Sequence, residues 1–392
     1  MKILISAGEA SGDLYGAQLI VALRRRARKE DEPLEFLGVG GESMRAAGCE
    51  IIVDSRHLAV VGMTEIVGQL PKIYSEFRKL LRAVDQAAQK PNVAVVIDSP
   101  AFNFRVAREM HARGIPVIYF VAPQLWAWRE YRVKRMQKWI KKVLCIFPFE
   151  EAFYRKYKVD AEYVGHPLAD LPRPHISREE YAQQNGLDAS RTWVALLPGS
   201  RRKEVKAHLS QMMEAAALLA TDNATYQFLF PVASSLDLAW FRNMMKQAEL
   251  TGGIPQTALA SMVPARNAAA ALLHSRAAVV TSGTATVEAA LMGVPFIAVY
   301  RLSALTFFAA KRLVKVPYVA MPNLITGRQI IPELLQDDFT PENMVKHLQQ
   351  IVPDGEPRQQ MLAGLAEVQA ALRREGERPA VERAADAIMK SL

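Results

Sequence analysis

The sequence predicts an α/β protein built as two doubly wound parallel-sheet domains with a cleft between them. Three observations predict it. Short apolar, β-branched runs alternate with longer segments of helical period, the pattern of parallel βαβ units. Those runs are almost continuously apolar, as strands covered on both faces require. The alternation also halts once, at a proline-rich stretch near residue 170, and then begins again.

In the first half, strands are expected at residues 2–6, 34–39, 50–53, 93–98, 116–121, 143–147 and 162–164, and helices at 14–28, 65–89, 104–112 and 127–142. Residues 166–175 then place Pro167, Pro172 and Pro174 where neither a helix nor a central strand can continue. This stretch reads as the inter-domain linker. In the second half, strands are expected at 193–197, 227–231, 277–281 and 295–299, and helices at 204–220, 237–249, 265–275 and 284–292. Helices at 341–351, 358–375 and 380–390 close the chain. The expected domains are 1–170 and 171–375, with the last helix, about 376–392, packing back on the first. Ligands of such sheets bind at the carboxyl ends of the strands.

Composition narrows the function. Half of the 392 residues are hydrophobic and 23% are charged, an ordinary globular balance. A net charge of +9 suits an anionic partner: nucleic acid, a phosphate-bearing small molecule or an anionic membrane surface. Cys49 and Cys145 lie in apolar runs, which argues against a disulfide framework or a cysteine metal cluster and for a reducing cytosol. The amino-terminal residues lack the apolar core of a secretory signal, and no apolar run is long enough to span a bilayer.

Six segments are candidates for chemistry. Ser6-Ala7-Gly8-Glu9-Ala10-Ser11-Gly12-Asp13 joins a strand to a helix. Glu9 and Asp13 would repel a pyrophosphate, so the loop suits a polar acceptor such as a sugar hydroxyl; a plain turn capped by Asp13 or Ser11 is the alternative. Asp98 directly follows a buried strand, where it serves either as a general base or as the cap of a helix starting near Phe104. Trp126 and Trp128 form a cleft wall or core packing, and a basic run from Arg129 to Lys142 follows them. Leu197-Pro198-Gly199-Ser200-Arg201 sets backbone amides and cations at a helix mouth, which suits phosphate. Thr281-Ser282-Gly283-Thr284 repeats that geometry, and Glu288 lies one turn on, able to accept from ribose hydroxyls. Finally, Leu58, Val60, Val61, Met63, Ile66, Val67 and Leu70 exceed what one buried helix face needs, with Gly68 and Pro71 interrupting the helix. They form an interfacial membrane element, an acyl-chain pocket or an ordinary core face.

Taken together and in order, seven stretches carry a resemblance over nearly the full length: Ala7 to Asp13, Ile97 to Asn103, Tyr119 to Trp128, Tyr163 to Leu168, Leu197 to Arg201, Thr281 to Glu288 and Met321 to Ile325. The chain resembles the lipid-A-disaccharide synthase family, glycosyltransferases of the GT-B architecture with two Rossmann-like domains. Asp98-Ser99-Pro100-Ala101 stands where an Asp-Ala-Pro-Asp style of sequence is commoner, a change that spares Asp98. The resemblance implies transfer of the sugar of UDP-2,3-diacylglucosamine to the 6-hydroxyl of 2,3-diacylglucosamine 1-phosphate. The products would be the β(1→6) disaccharide 1-phosphate and UDP, with inversion at the anomeric carbon. On that reading Asp98 is the base, and Gly199, Ser200, Arg201, Ser282, Gly283 and Thr284 hold the diphosphate. Glu288 holds the ribose, and Glu9, Ser11, Asn323 and Gln329 contact sugar or phosphate. No Asp-x-Asp pair faces the cleft, so neither a metal nor another cofactor is expected. The apolar patch and the basic run would share peripheral binding to the inner membrane from the cytoplasmic side. The long helical C-terminus is a candidate surface for homodimer pairing. Other GT-B enzymes acting on UDP-N-acetylglucosamine, a 2-epimerase or a lipid-linked transferase, are the rival reading. A nucleic-acid binder is disfavoured because the cations are not interleaved with stacking aromatics.

Overall fold

In the computed structural model, residues 28–32, 59–62, 129, 304–306, 308–315 and 374–377, and the side chains of Ala10 and residues 63–70, lie outside the described residues. The chain forms two compact units: Met1–Asp170 with Leu372–Leu392, and Leu171–Ala371.

Unit 1 carries β1 (Lys2–Ala7), β2 (Glu35–Gly40), β3 (Glu50–Asp54), β4 (Val93–Ile97), β5 (Val117–Phe120), β6 (Lys142–Cys145) and β7 (Ala161–Tyr163). They form one parallel sheet in the order β3-β2-β1-β4-β5-β6-β7. The order reverses between β1 and β4, so their carboxyl ends flank a crevice where no crossover helix covers the sheet edge. All five residues of β4 are fully buried. Each buried Val or Ile contributes about 1.5–3 kcal/mol, which explains why an unbroken apolar run occupies the sheet centre. The helices are α1 (Ala10–Arg26), α2 (Glu42–Ala46), α3 (Met63–Gln86), α4 (Pro100–Ala112), α5 (Val133–Trp139) and α6 (Pro148–Lys156).

Two expectations are corrected in this unit. Pro71 does not break α3, which runs through it. The proline forfeits one backbone bond, and Phe77, Leu80, Leu81 and Val84, buried at helical spacing, hold the helix beyond it. The helix expected at 127–142 shrinks to α5, because Lys141 N–H donates to Val117 O (2.8 Å) and draws the chain into β6. Lys142 consequently pairs with Glu162 (3.0 Å) instead of joining a basic helix face. Leu58 packs, partly buried, against the unit's core together with Ile73. Val60 and Val61 lie outside the described residues, as do the side chains of Met63, Ile66, Val67 and Leu70.

Unit 2 carries β8 (Thr192–Leu197), β9 (Tyr226–Pro231), β10 (Met262–Ala265), β11 (Ala277–Thr281), β12 (Phe296–Tyr300) and β13 (Glu333–Leu335), parallel in the order β10-β9-β8-β11-β12-β13. Here the reversal falls between β8 and β11. The sequence pattern misses both edge strands: β10 is short and contains Pro264, and β13 has three residues. The helices of this unit are α7 (Arg178–Asn185), α8 (Arg202–Asp222), α9 (Leu238–Gly252), α10 (Gln256–Leu259), α11 (Ala268–His274), α12 (Thr284–Met292), α13 (Met321–Thr326) and α14 (Pro341–Ile351). The following helix, α15 (Glu356–Arg373), leads back to unit 1. There α16 (Ala380–Met389) packs on α1, with Arg26 reaching both Glu382 and Asp386 at 3.0 Å.

Candidate functional site

At the switch edge of unit 1, one buried side chain ties the two strand ends together. Asn103, on α4 and fully buried, accepts from Ser6 Oγ (2.7 Å) and donates to the carbonyls of Ile97 and Asp98 (both 2.8 Å). Tyr119 Oη donates to the same Asp98 carbonyl (2.8 Å). These bonds hold an unusual backbone: Asp98 and Ser99 both take left-handed conformations, φ 48° and 43°. Such a conformation costs non-glycine residues roughly 1–3 kcal/mol each and persists only where the surroundings over-determine it. The strain presents a half-buried carboxylate immediately past the sheet. Burial first, and the Asp98 charge second, push the Tyr119 phenol well above its ordinary range. Gly8 faces this turn from just past the end of β1, and a Cβ there would collide with the Ser99 side chain.

The capping alternatives resolve differently at the two loops. Asp98 does not hold the N-cap position of α4: the helix begins at Pro100, and Ser99 is its N-cap. Asp13 does cap, but not its own helix. It accepts from the amides of Gly41 (2.6 Å), Ser43 (2.9 Å) and Met44 (3.1 Å) and so anchors the start of α2. Glu9 and Ser11 stay exposed at the head of α1. The tryptophans divide. Trp126 donates to the buried Glu150 (3.0 Å) and belongs to the scaffold, whereas Trp128 is 40% exposed. Glu150 also accepts from the amides of Ile146 and Phe147, and burial raises its carboxyl to about 7.

In unit 2 the clamp is a histidine. His208, fully buried on α8, donates through Nδ1 to Pro198 O (3.0 Å) and accepts at Nε2 from the Arg301 amide (2.9 Å). Thr281 Oγ1 donates to Leu197 O (2.9 Å). The ends of β8, β11 and β12 are thereby joined. Burial lowers the His208 pKa, in keeping with a neutral ring that both donates and accepts.

The two anion loops of this unit differ. The amides of Ser200 and Arg201 are already occupied: Glu204 Oε2 accepts from both, at 2.9 and 3.2 Å, and Oε1 accepts from the Arg201 guanidinium at 3.2 Å. Gly199 (φ 126°) leaves room for that carboxylate, since a Cβ there would collide with Glu204. The expectation that these backbone amides cradle a phosphate is therefore corrected: the loop caps α8 with its own side chain. By contrast, α12 starts without a side-chain cap. Gly283 has φ 148°, Gly283 and Thr284 are exposed, and open space surrounds the glycine. Ser282 Oγ is drawn aside to Val319 O (3.2 Å). One turn on, Glu288 has no hydrogen-bond or ion-pair partner among the described residues, and burial raises its carboxyl.

Asn323 is corrected as a ligand contact. It is fully buried and saturated, accepting from the amides of Ile330 and Ile331 and donating to Ile331 O and Glu333. Gln329 is exposed beside that turn. Asp337 and Asp338 are exposed, and no cluster of potential metal ligands occurs among the described residues. The sequence reading overlooked the roles of Asn103, His208 and Glu204. Asn103 and His208 did leave a trace, as single polar residues on otherwise apolar helix faces.

Comparison with known proteins follows the same lines. A family model described as Lipid-A-disaccharide synthetase matches residues 3–388. A lipid-A-disaccharide synthase from Koribacter versatilis is 50% identical over 391 residues, spanning 99% of this chain and 98% of its own. Another, from Solibacter usitatus, is 43% identical over 100% of this chain and 97% of its own. Among solved structures, UDP-GlcNAc 2-epimerase from Neisseria meningitidis, bound to UDP-GlcNAc, superposes with a TM-score of 0.66 at 12% identity, covering 100% of this chain and 99% of its own. CalG4, the calicheamicin glycosyltransferase, gives 0.57 at 15% identity, covering 99% and 97%. The structural likenesses establish the GT-B fold and the sequence matches establish the lineage: this chain belongs to the lipid-A-disaccharide synthase family and is a glycosyltransferase of lipid A synthesis.

Proposed function

We propose that the enzyme joins UDP-2,3-diacylglucosamine to 2,3-diacylglucosamine 1-phosphate by a single inverting displacement. Unit 2 is the donor domain and unit 1 the acceptor domain. Asp98 removes the proton from the acceptor 6-hydroxyl as its oxygen bonds to the anomeric carbon. The bond from that carbon to the diphosphate breaks on the opposite face, and UDP leaves with the electron pair. The start of α12 offers the leaving diphosphate backbone amides and the positive end of a helix dipole. Glu288 accepts from the ribose hydroxyls. The observation that carries this reading is the pairing in unit 2 of an uncapped helix start at Gly283 with a carboxyl, Glu288, that no described residue satisfies.

Both substrates are acylated, so access to them favours a protein resting on the cytoplasmic face of the inner membrane. No helix among the described residues is long and apolar enough to cross it. Lys134, Arg135 and Lys138 on α5 are exposed beside Trp128 and Tyr131, a combination of cations and amphipathic rings suited to an anionic lipid surface. Paired Val60→Ser and Val67→Ser substitutions are expected to weaken co-sedimentation with anionic vesicles. Incubating the purified protein with both acylated sugars, and assaying UDP and a disaccharide 1-phosphate by mass, tests the reaction. Release of UDP without a disaccharide would contradict it.

A further inference from the structure

At the donor edge of unit 2 lies an ion pair that the proposed reaction does not use. Glu204 makes two kinds of contact. Its Oε2 accepts from the amides of Ser200 and Arg201, a capping bond that a glutamine side chain also makes. Its Oε1 takes the Arg201 guanidinium at 3.2 Å. The cap needs no charge, whereas the ion pair engages the group best shaped to grip a phosphate. The pair is also open to exchange, because the Arg201 side chain is 62% exposed. Its loop follows β8, the strand paired directly with β11, whose own loop opens α12.

We propose that Glu204 is a built-in competitor for Arg201. In the free protein the carboxylate neutralises the guanidinium. A nucleoside diphosphate seated at the start of α12 takes Arg201 over, while the backbone cap stays in place. When the diphosphate leaves, Glu204 recovers the guanidinium. The exchange weakens the grip on the product UDP and so favours turnover over retention. This inference rests on the reading that unit 2 binds the nucleotide.

Calorimetric titration of UDP into the full-length protein tests both levels, using the native chain, Glu204→Gln, Arg201→Ala and the double variant. Glutamine keeps the capping oxygen, so an unchanged melting temperature is expected. Glu204→Gln is expected to bind UDP tighter by about two- to fivefold, the scale of one exposed ion pair. The gain is expected to vanish in the Arg201→Ala background. Unchanged or weaker binding by Glu204→Gln at native stability, or a gain that survives without Arg201, would overturn the inference. Should Glu204→Gln lose stability, the titrations are run below its melting transition, where both chains are folded, and the same outcomes decide. Failure of the native chain to bind UDP would instead overturn the nucleotide reading beneath it.

Discussion

The two units share a topology and differ in what they place at the point where strand order reverses. In unit 1 the edge is built from strained non-glycine backbone, Asp98 and Ser99, locked by Asn103 and Tyr119. In unit 2 it is built from glycines with positive φ, Gly199 and Gly283, behind the His208 clamp. The first solution delivers a carboxylate; the second leaves the start of α12 uncapped at Gly283, while Gly199 makes room for Glu204 to cap α8. A sheet edge therefore determines where chemistry happens, while the residues at the first two positions past the strand determine which chemistry it is.

Substitutions at each edge sharpen this contrast. The largest effect is expected from Asp98→Asn, which keeps the turn but removes the base: turnover should fall by about a thousandfold, within the usual range for general-base loss. Near-normal turnover in a disaccharide assay would remove Asp98 from the mechanism. Glu288→Ala should raise the donor KM by about tenfold or more, since hydrogen bonds to charged groups contribute about 1.5–3 kcal/mol; an unchanged KM would sever Glu288 from the ribose. Asn103→Ala leaves buried carbonyls unsatisfied and should cost about 2–3 kcal/mol in chemical denaturation. If the variant matched the native midpoint, the clamp would be dispensable.

The smallest effect concerns pH. Glu150, at about 7, holds its proton more tightly in the folded protein than in the unfolded chain. Between its ordinary value and 7 the folded state therefore binds more protons, and its contribution falls as pH rises through that window. Glu150→Gln should flatten the slope, at a pH-independent cost of about 1 kcal/mol because its amide NH2 faces one of the N–H donors that the carboxylate satisfied. A slope identical to that of the native protein would show that Glu150 does not titrate there.

Much of this was legible in the sequence, for definable reasons. The central strands announce themselves because burial on both faces forces continuous apolar runs such as Val93 to Ile97. The helix start at Thr284 and the carboxyl at Glu288 follow from one strand-loop-helix pattern. The edge strands of unit 2 do not announce themselves, because β10 and β13 are held by a neighbour's backbone more than by their own side chains. Nor does the saturation of Asn323, or the occupation of the Ser200 and Arg201 amides by Glu204. A motif names donors and acceptors, but only the folded chain reveals which of them are already satisfied internally.

Parallel UDP titrations of Asp98→Asn and Glu288→Gln test the division of labour most directly. The account predicts native UDP affinity for Asp98→Asn and weakened affinity for Glu288→Gln, because the nucleotide belongs to one unit and the base to the other. Loss of UDP binding in Asp98→Asn, with Glu288→Gln unaffected, would contradict it.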